Sequence, residues 1–193
     1  GLDQSRDARQ KTVEQAEPLT RSPSLWITHS LLAMDDKRER EDVKTKIQHW
    51  QESGKPWFGC RSDAILPQIR ALQIALMLQE PKLAADKARS IKASMSEDLV
   101  NRYHLPQRVL DFIDKGDETT KQRLMQAANG SLEAEQNARY WVALKYLADG
   151  DEANFRRSLA ECRNTKRVGI VNSSLWAWAL ERRIDHIEDW PIW

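Results

Sequence analysis

Residues 140–162 read YWVALKYLADGDEANFRRSLAEC, and the Gly150-Asp151 pair in their middle decides what kind of chain this is. The run before the pair, Tyr140 to Leu147, is apolar nearly all round. The run after it places Phe155, Leu159 and Cys162 at i, i+4 and i+7, which is one face of a 3.6-residue helix. Two helices that meet at so short a turn must pack against each other as a hairpin.

The same punctuation recurs upstream. Gly116-Asp117 lies 34 residues earlier, Glu80-Pro81 another 36 before that, and Asp35-Asp36 a further 45, with GKPWFGC (Gly54 to Cys60) as an insertion. After each turn comes an apolar or small triple at i, i+4, i+7: Val43/Ile47/Trp50, Ala84/Ala88/Ile91, Thr120/Leu124/Ala127 and Phe155/Leu159/Cys162. The helices before the turns differ, since Ala71 to Leu78 (ALQIALML) is also apolar nearly all round. A helix of that kind is enclosed on several sides, whereas a one-sided stripe leaves the other face to water.

Breakers and caps divide the rest. Ser22-Pro23 opens a helix to Met34, and Asp35-Asp36 caps a second that ends before Gly54. Ser62-Asp63 or Leu66-Pro67 opens the next, and Leu105-Pro106-Gln107 echoes Leu66-Pro67-Gln68 at another start. Asn129-Gly130 ends a helix, Ser131 opens one, and Asn172-Ser173 caps the last, LWAWALERRI. The segment from Ser94 to His104 is ambiguous, with Ser96 a cap for a short helix. The reading is about nine helices in antiparallel pairs. Residues 1–21, polar and without an apolar stripe, form a disordered or loosely helical lead-in to one repeat domain over 22–193.

A period near 34 with helix–turn–helix units resembles the tetratricopeptide repeat over roughly residues 22 to 186. With Gly150 at that family's turn glycine, Tyr146 falls on its helix-A tyrosine and Ala143 on the small residue where glycine is usual. Arg139 stands at the consensus tryptophan, and Phe155 where a small residue is usual. In the preceding unit Phe112 takes the tyrosine position and Val109 the glycine position, with Pro106 intruding. The resemblance implies an all-α fold: a right-handed superhelix of about four antiparallel hairpins with a C-terminal capping helix. It implies a scaffold that binds a protein or peptide in a concave groove lined by first helices.

Polar or aromatic residues on those helices are the candidates for the groove: Trp26, His29, Arg70, Gln73, Gln107, Asn137 and Tyr140. Core packing is the competing role for Trp26 and Tyr140, and solvated helix ends for Arg70 and Gln107. Chaperone-binding members of the family hold a terminal carboxylate in a basic and asparagine clamp. The corresponding positions here include Asn137, Tyr140, Tyr103 and Pro106, which do not make one. The alternative to a binding groove is a structural role, as a homo-oligomer or as the helical part of a larger protein. Near the C-terminus, Trp176, Trp178 and then Trp190-Pro191-Ile192-Trp193 supply apolar surface that either folds back on the last helix or enters a partner; folding back is the expectation.

Composition removes several classes. Net charge is +1 and the signs are interleaved, as in DDKREREDVK (Asp35 to Lys44), so a one-sided phosphate-binding surface is not expected and neither is nucleic acid. No apolar run approaches the ~20 residues that span a bilayer. Cys60 and Cys162 are too few for a disulfide framework or a four-cysteine zinc site; Cys162 sits at a core position. The histidines, His29, His49, His104 and His186, are scattered, and no nucleophile-elbow, phosphate-loop or zinc-protease motif is present. The expectation is a non-enzyme with no metal and no cofactor. The chain opens Gly1-Leu2-Asp3 without an initiator Met, which reads as a trimmed start with Gly1 a cloning residue. A signal, lipid anchor or domain upstream stays open, and with it the choice between cytoplasm and periplasm or exterior.

Overall fold

The computed structural model describes residues 36–53, 65–95, 104–163 and 172–193, whose secondary structure is eight α-helices with no strand. In chain order these are α1 (Lys37–Ser53), α2 (Ile65–Met77), α3 (Pro81–Ser94), α4 (His104–Lys115), α5 (Glu118–Ala128), α6 (Leu132–Ala148), α7 (Glu152–Arg163) and α8 (Asn172–Ile184). None is long and apolar enough to cross a membrane. The lead-in, the helix expected over 22–34, the GKPWFGC insertion with Cys60, and the short helix expected after Ser96 lie outside the described residues.

Each Gly-Asp pair ends one helix and begins another. Gly116 and Gly150 adopt φ +68° and +73°, a left-handed backbone that costs a residue bearing Cβ but not glycine. That conformation aims the Gly116 amide at the Phe112 carbonyl and the Asp151 amide at the Tyr146 carbonyl, satisfying groups the helix end would strand. The aspartate then caps. Asp117 Oδ1 accepts hydrogen bonds from the Thr120 amide at 2.7 Å and the Thr120 hydroxyl at 2.9 Å. These bonds hold its carboxyl below the usual carboxylate range. Asp151 does the same with Asn154, whose side-chain amide donates to it at 2.7 Å. Asp36 caps α1 through the amides of Arg38 and Glu39.

The apolar stripes bury as the 3.6-residue period requires. Ala84, Ala88 and Ile91 on α3 and Phe155, Leu159 and Cys162 on α7 are all interior. On α5 the third member is Ala128, one position beyond the expected Ala127, which faces water. Val43 and Ile47 are buried on α1, while the Trp50 side chain is outside the described set. Every residue from Ala71 to Met77 is buried, Gln73 included.

The order in which helices meet departs from a purely sequential stack. Helix α6 packs against α7 and α5, its chain neighbours, and also against α2, α4 and α8. A linear array gives each unit contact with its immediate neighbours alone. Here α2 meets α6, two hairpins downstream, so the units gather about α6. The buried side chains of α6, from Gln136 to Ala148, form the middle of one core. Ion pairs tie the rim: Arg89–Asp114 at 2.8 Å and Lys92–Asp111 at 2.6 Å across α3 and α4, Arg156–Asp185 at 3.2 Å beyond α7. Exposed pairs of this kind are screened by water and contribute little to stability. Arg40, from the interleaved charge run, departs from the solvated pattern: it is nearly buried and bonds Asp189 at 2.7 Å.

One buried cation has a pH signature. Burial pushes the Lys87 amine down from its ordinary 10.5 to about 8. Between those values the unfolded chain holds more protons than the folded one, so this group makes stability rise with pH. Below about pH 8 the cost of the enclosed charge is present in full, and toward 10.5 it disappears. Lys87→Met is expected to flatten the rise in stability between about pH 8 and 10, which urea titrations at those two pH values measure.

Candidate functional site

Three helices enclose a cleft of about 290 Å³. Lys121 and Met125 of α5, Arg139, Val142 and Tyr146 of α6, and Asn154, Arg157, Ser158 and Glu161 of α7 line it. The spacing explains the convergence: 139, 142 and 146 share one face of α6, and 154, 157, 158 and 161 share one face of α7. Most of the other α6 residues from Gln136 to Ala148 are buried in the core. What remains toward the cleft is a polar wall with an apolar floor of Met125 and Val142.

The polar groups are partly engaged with one another. Lys121 Nζ donates to Glu118 Oε2 at 2.9 Å and to the Tyr146 hydroxyl at 3.1 Å, and it sits 5.7 Å from the Tyr146 ring centroid. The Glu118 carboxylate, opposed by burial, raises the Lys121 amine above its usual value, so it is cationic at neutral pH. Arg139 pairs with Glu161 through one guanidinium nitrogen, and its Nε is enclosed without a hydrogen bond. Arg157, exposed at the rim, forms no ion pair among the described residues, although its charge helps to lower the Asp151 carboxyl. Three cations therefore face one lining carboxylate.

Cys162 lies behind this wall and is a structural thiol. Burial pushes it up to about 11, against the nearby Arg139 charge, and it donates to the Gln136 carbonyl at 3.4 Å. A thiol so protonated is a poor nucleophile. Among the described residues no three His, Cys, Asp or Glu side chains gather in a way that could hold a metal ion.

Among the described residues, none of those proposed from sequence lines the cleft. Trp26 and His29 lie outside the described residues, as does the Arg70 side chain on α2. Gln107 on α4 and Asn137 on α6 are half-buried. Gln73 and Tyr140 lie in the interior. Gln73 is fully buried on α2; Tyr140 is 1% exposed with its ring 6.0 Å from Trp176, so neither has surface to offer a partner. An aromatic on an apolar helix marks the core as readily as a groove.

The C-terminal segment folds back, and its target is the end of α2. Trp190 is buried and its indole N–H donates to the Met77 carbonyl at 3.0 Å. Gln79 grips the segment's backbone: its Oε1 accepts the Ile192 amide at 2.6 Å, and its Nε2 donates to the Ile192 carbonyl at 2.7 Å and the Leu147 carbonyl at 2.9 Å. Gln79 itself has φ +56°, an uncommon backbone for a residue with a side chain. The ends of α2 and α6 thus meet at one glutamine, with the segment laid over them. Trp193 packs on Phe155 at 5.5 Å between ring centroids, while Ile192 stays exposed.

Comparison of the chain with protein-family models, with curated proteins and with solved structures found no match.

Proposed function

We propose that the chain is a helical protein-binding module that takes a peptide segment of a partner in the cleft between α5, α6 and α7. Tetratricopeptide-like hairpins supply the scaffold in this reading, closed on itself through α6 instead of opening into a superhelix. The observation that carries it is the cleft itself, about 290 Å³ with room for a side chain, where an apolar floor of Met125 and Val142 lies beside the exposed Arg157, which has no ion pair among the described residues. Helices that are already ordered lose little entropy on binding, so a short extended segment can be held by few contacts.

Selection from a random-peptide display library against the whole chain tests the reading. Arg157→Trp sets a bulky ring at the rim, on an exposed site where the fold tolerates it. Enriched peptides are expected to lose at least about tenfold in affinity for that variant, the scale of a lost anchor contact. No enrichment, or peptides that bind both proteins equally, would overturn the proposal.

A further inference from the structure

The charge distribution in the cleft goes further than the existence of a binding surface. We infer that the cleft is specific for an acidic segment, one carboxylate side chain of which displaces Glu161 from Arg139 while an adjacent apolar side chain rests on Met125 and Val142. This rests on the binding role proposed above and names the chemistry of the partner.

Three features support it. Lys121, Arg139 and Arg157 are brought to one opening from three separate helices; Lys121 is paired with Glu118 and Arg139 with Glu161, which leaves Arg157 as the excess positive charge. Arg157 is exposed and has no ion pair among the described residues, its charge acting at longer range on the Asp151 carboxyl, so it is available at the rim. Glu161 is 50% exposed on its side chain, whereas Arg139 is 30% exposed. The carboxylate can therefore swing into water while the guanidinium stays. Glu161 is in this sense an internal stand-in for the ligand: it neutralises Arg139 when the cleft is empty and competes with whatever enters. A guanidinium presents a fork of donors to a carboxylate, so an incoming acid can take the place of Glu161 on Arg139.

The competition sets opposite signs for two substitutions on neighbouring turns of α7. Removing the internal competitor by Glu161→Gln is expected to tighten acidic peptides by up to about fivefold, the scale of one partly exposed ion pair. Arg157→Glu is expected to weaken them by about tenfold or more, because an attraction becomes a repulsion. Arg123→Glu is the control, since Arg123 is exposed on α5 but does not line the cleft. It makes the same change in net charge and is expected to leave affinity within about twofold.

The experiment measures fluorescence anisotropy of labelled peptides drawn from the display selection, together with copies in which each Asp or Glu is replaced by Asn or Gln. Circular dichroism confirms that the variants fold. Acid-dependent binding with the order Glu161→Gln, then parent and Arg123→Glu alike, then Arg157→Glu, supports the inference. Peptides that need the cleft yet bind as well without their acids would overturn the acidic specificity and leave the binding role standing. Equal weakening by Arg123→Glu and Arg157→Glu would assign the attraction to net charge and overturn it. Failure of Arg157→Trp to affect any peptide removes both proposals.

Discussion

Replacing Tyr140 with alanine is expected to lower the melting temperature by about 6 to 20 °C, from a loss of about 3 to 5 kcal/mol for truncating a large buried aromatic. Tyr140 is 1% exposed and stands on the helix that touches α2, α4, α5, α7 and α8. Its ring lies 6.0 Å from that of Trp176, within the contact range of aromatic pairs. The void left by alanine would open where several helices share packing, so no single element can move in to fill it. Against a total stability of about 5 to 15 kcal/mol, that loss leaves a marginal protein. Tyr140→Phe keeps the ring and is expected to retain most of the stability. Thermal and urea unfolding of both variants measure the difference. An alanine variant that melts within about 2 °C of the parent would mean that Tyr140 is not enclosed.

That result would separate core from surface at a position where sequence could not. A groove aromatic and a core aromatic leave the same trace, a large ring on an otherwise apolar helix, and burial is decided by what packs on the far side. For Tyr140 that is Trp176 of α8, which the periodicity of α6 does not announce. Turn chemistry was legible because it is local: a glycine with left-handed backbone and an aspartate three residues before the amide it caps act within one turn. The enclosed character of α2 and of the Tyr140–Leu147 run of α6 was legible for a related reason, since a helical stretch that is apolar nearly all round has little to offer water. The slip from Ala127 to Ala128 came from two adjacent small residues at a helix end, where both satisfy the stripe.

Other features depended on the order of assembly, which a repeat period does not encode. A period states that units are alike and says nothing about which unit meets which, so the α2–α6 contact had no sequence signature. The cleft is a product of the same packing. Arg139, Arg157 and Lys121 look like ordinary solvated charges along their own helices and become a set when α5, α6 and α7 converge. The lining of α7 did have a weak signal, because Asn154, Arg157, Ser158 and Glu161 follow helical spacing on one face. Any solvated helix face shows that spacing, and it gains meaning from a facing wall.

The second large effect is expected from Trp190→Ala, which should also cost about 3 to 5 kcal/mol although its site lies past the last helix. The reason is visible in the accounting of the end of α2. The last carbonyls of a helix have no partner within it. Here Leu78 donates to the Ile74 carbonyl, Glu80 to Ala75 and Gln79 to Leu76. The Met77 carbonyl is satisfied by the Trp190 indole. Alanine removes the ring from the core and the donor from the helix end together, and the second loss adds about 1 kcal/mol to what truncation of an unbonded ring would cost. Ile192→Ala, at 76% exposure in the same segment, is expected to change stability by less than about 0.5 kcal/mol. Gln79→Ala removes three hydrogen bonds to the segment and to α6, but it also loses the enclosing contacts of a long side chain at an already strained backbone. Because Gln79 and Trp190 hold the same segment to the same helix end, their effects should not add: the double variant is expected to fall short of the sum by about 1 kcal/mol. Urea unfolding of the two single variants and the double gives that coupling directly. Additive effects, or a Trp190→Ala variant as stable as Ile192→Ala, would mean that the segment rests on the bundle without anchoring it.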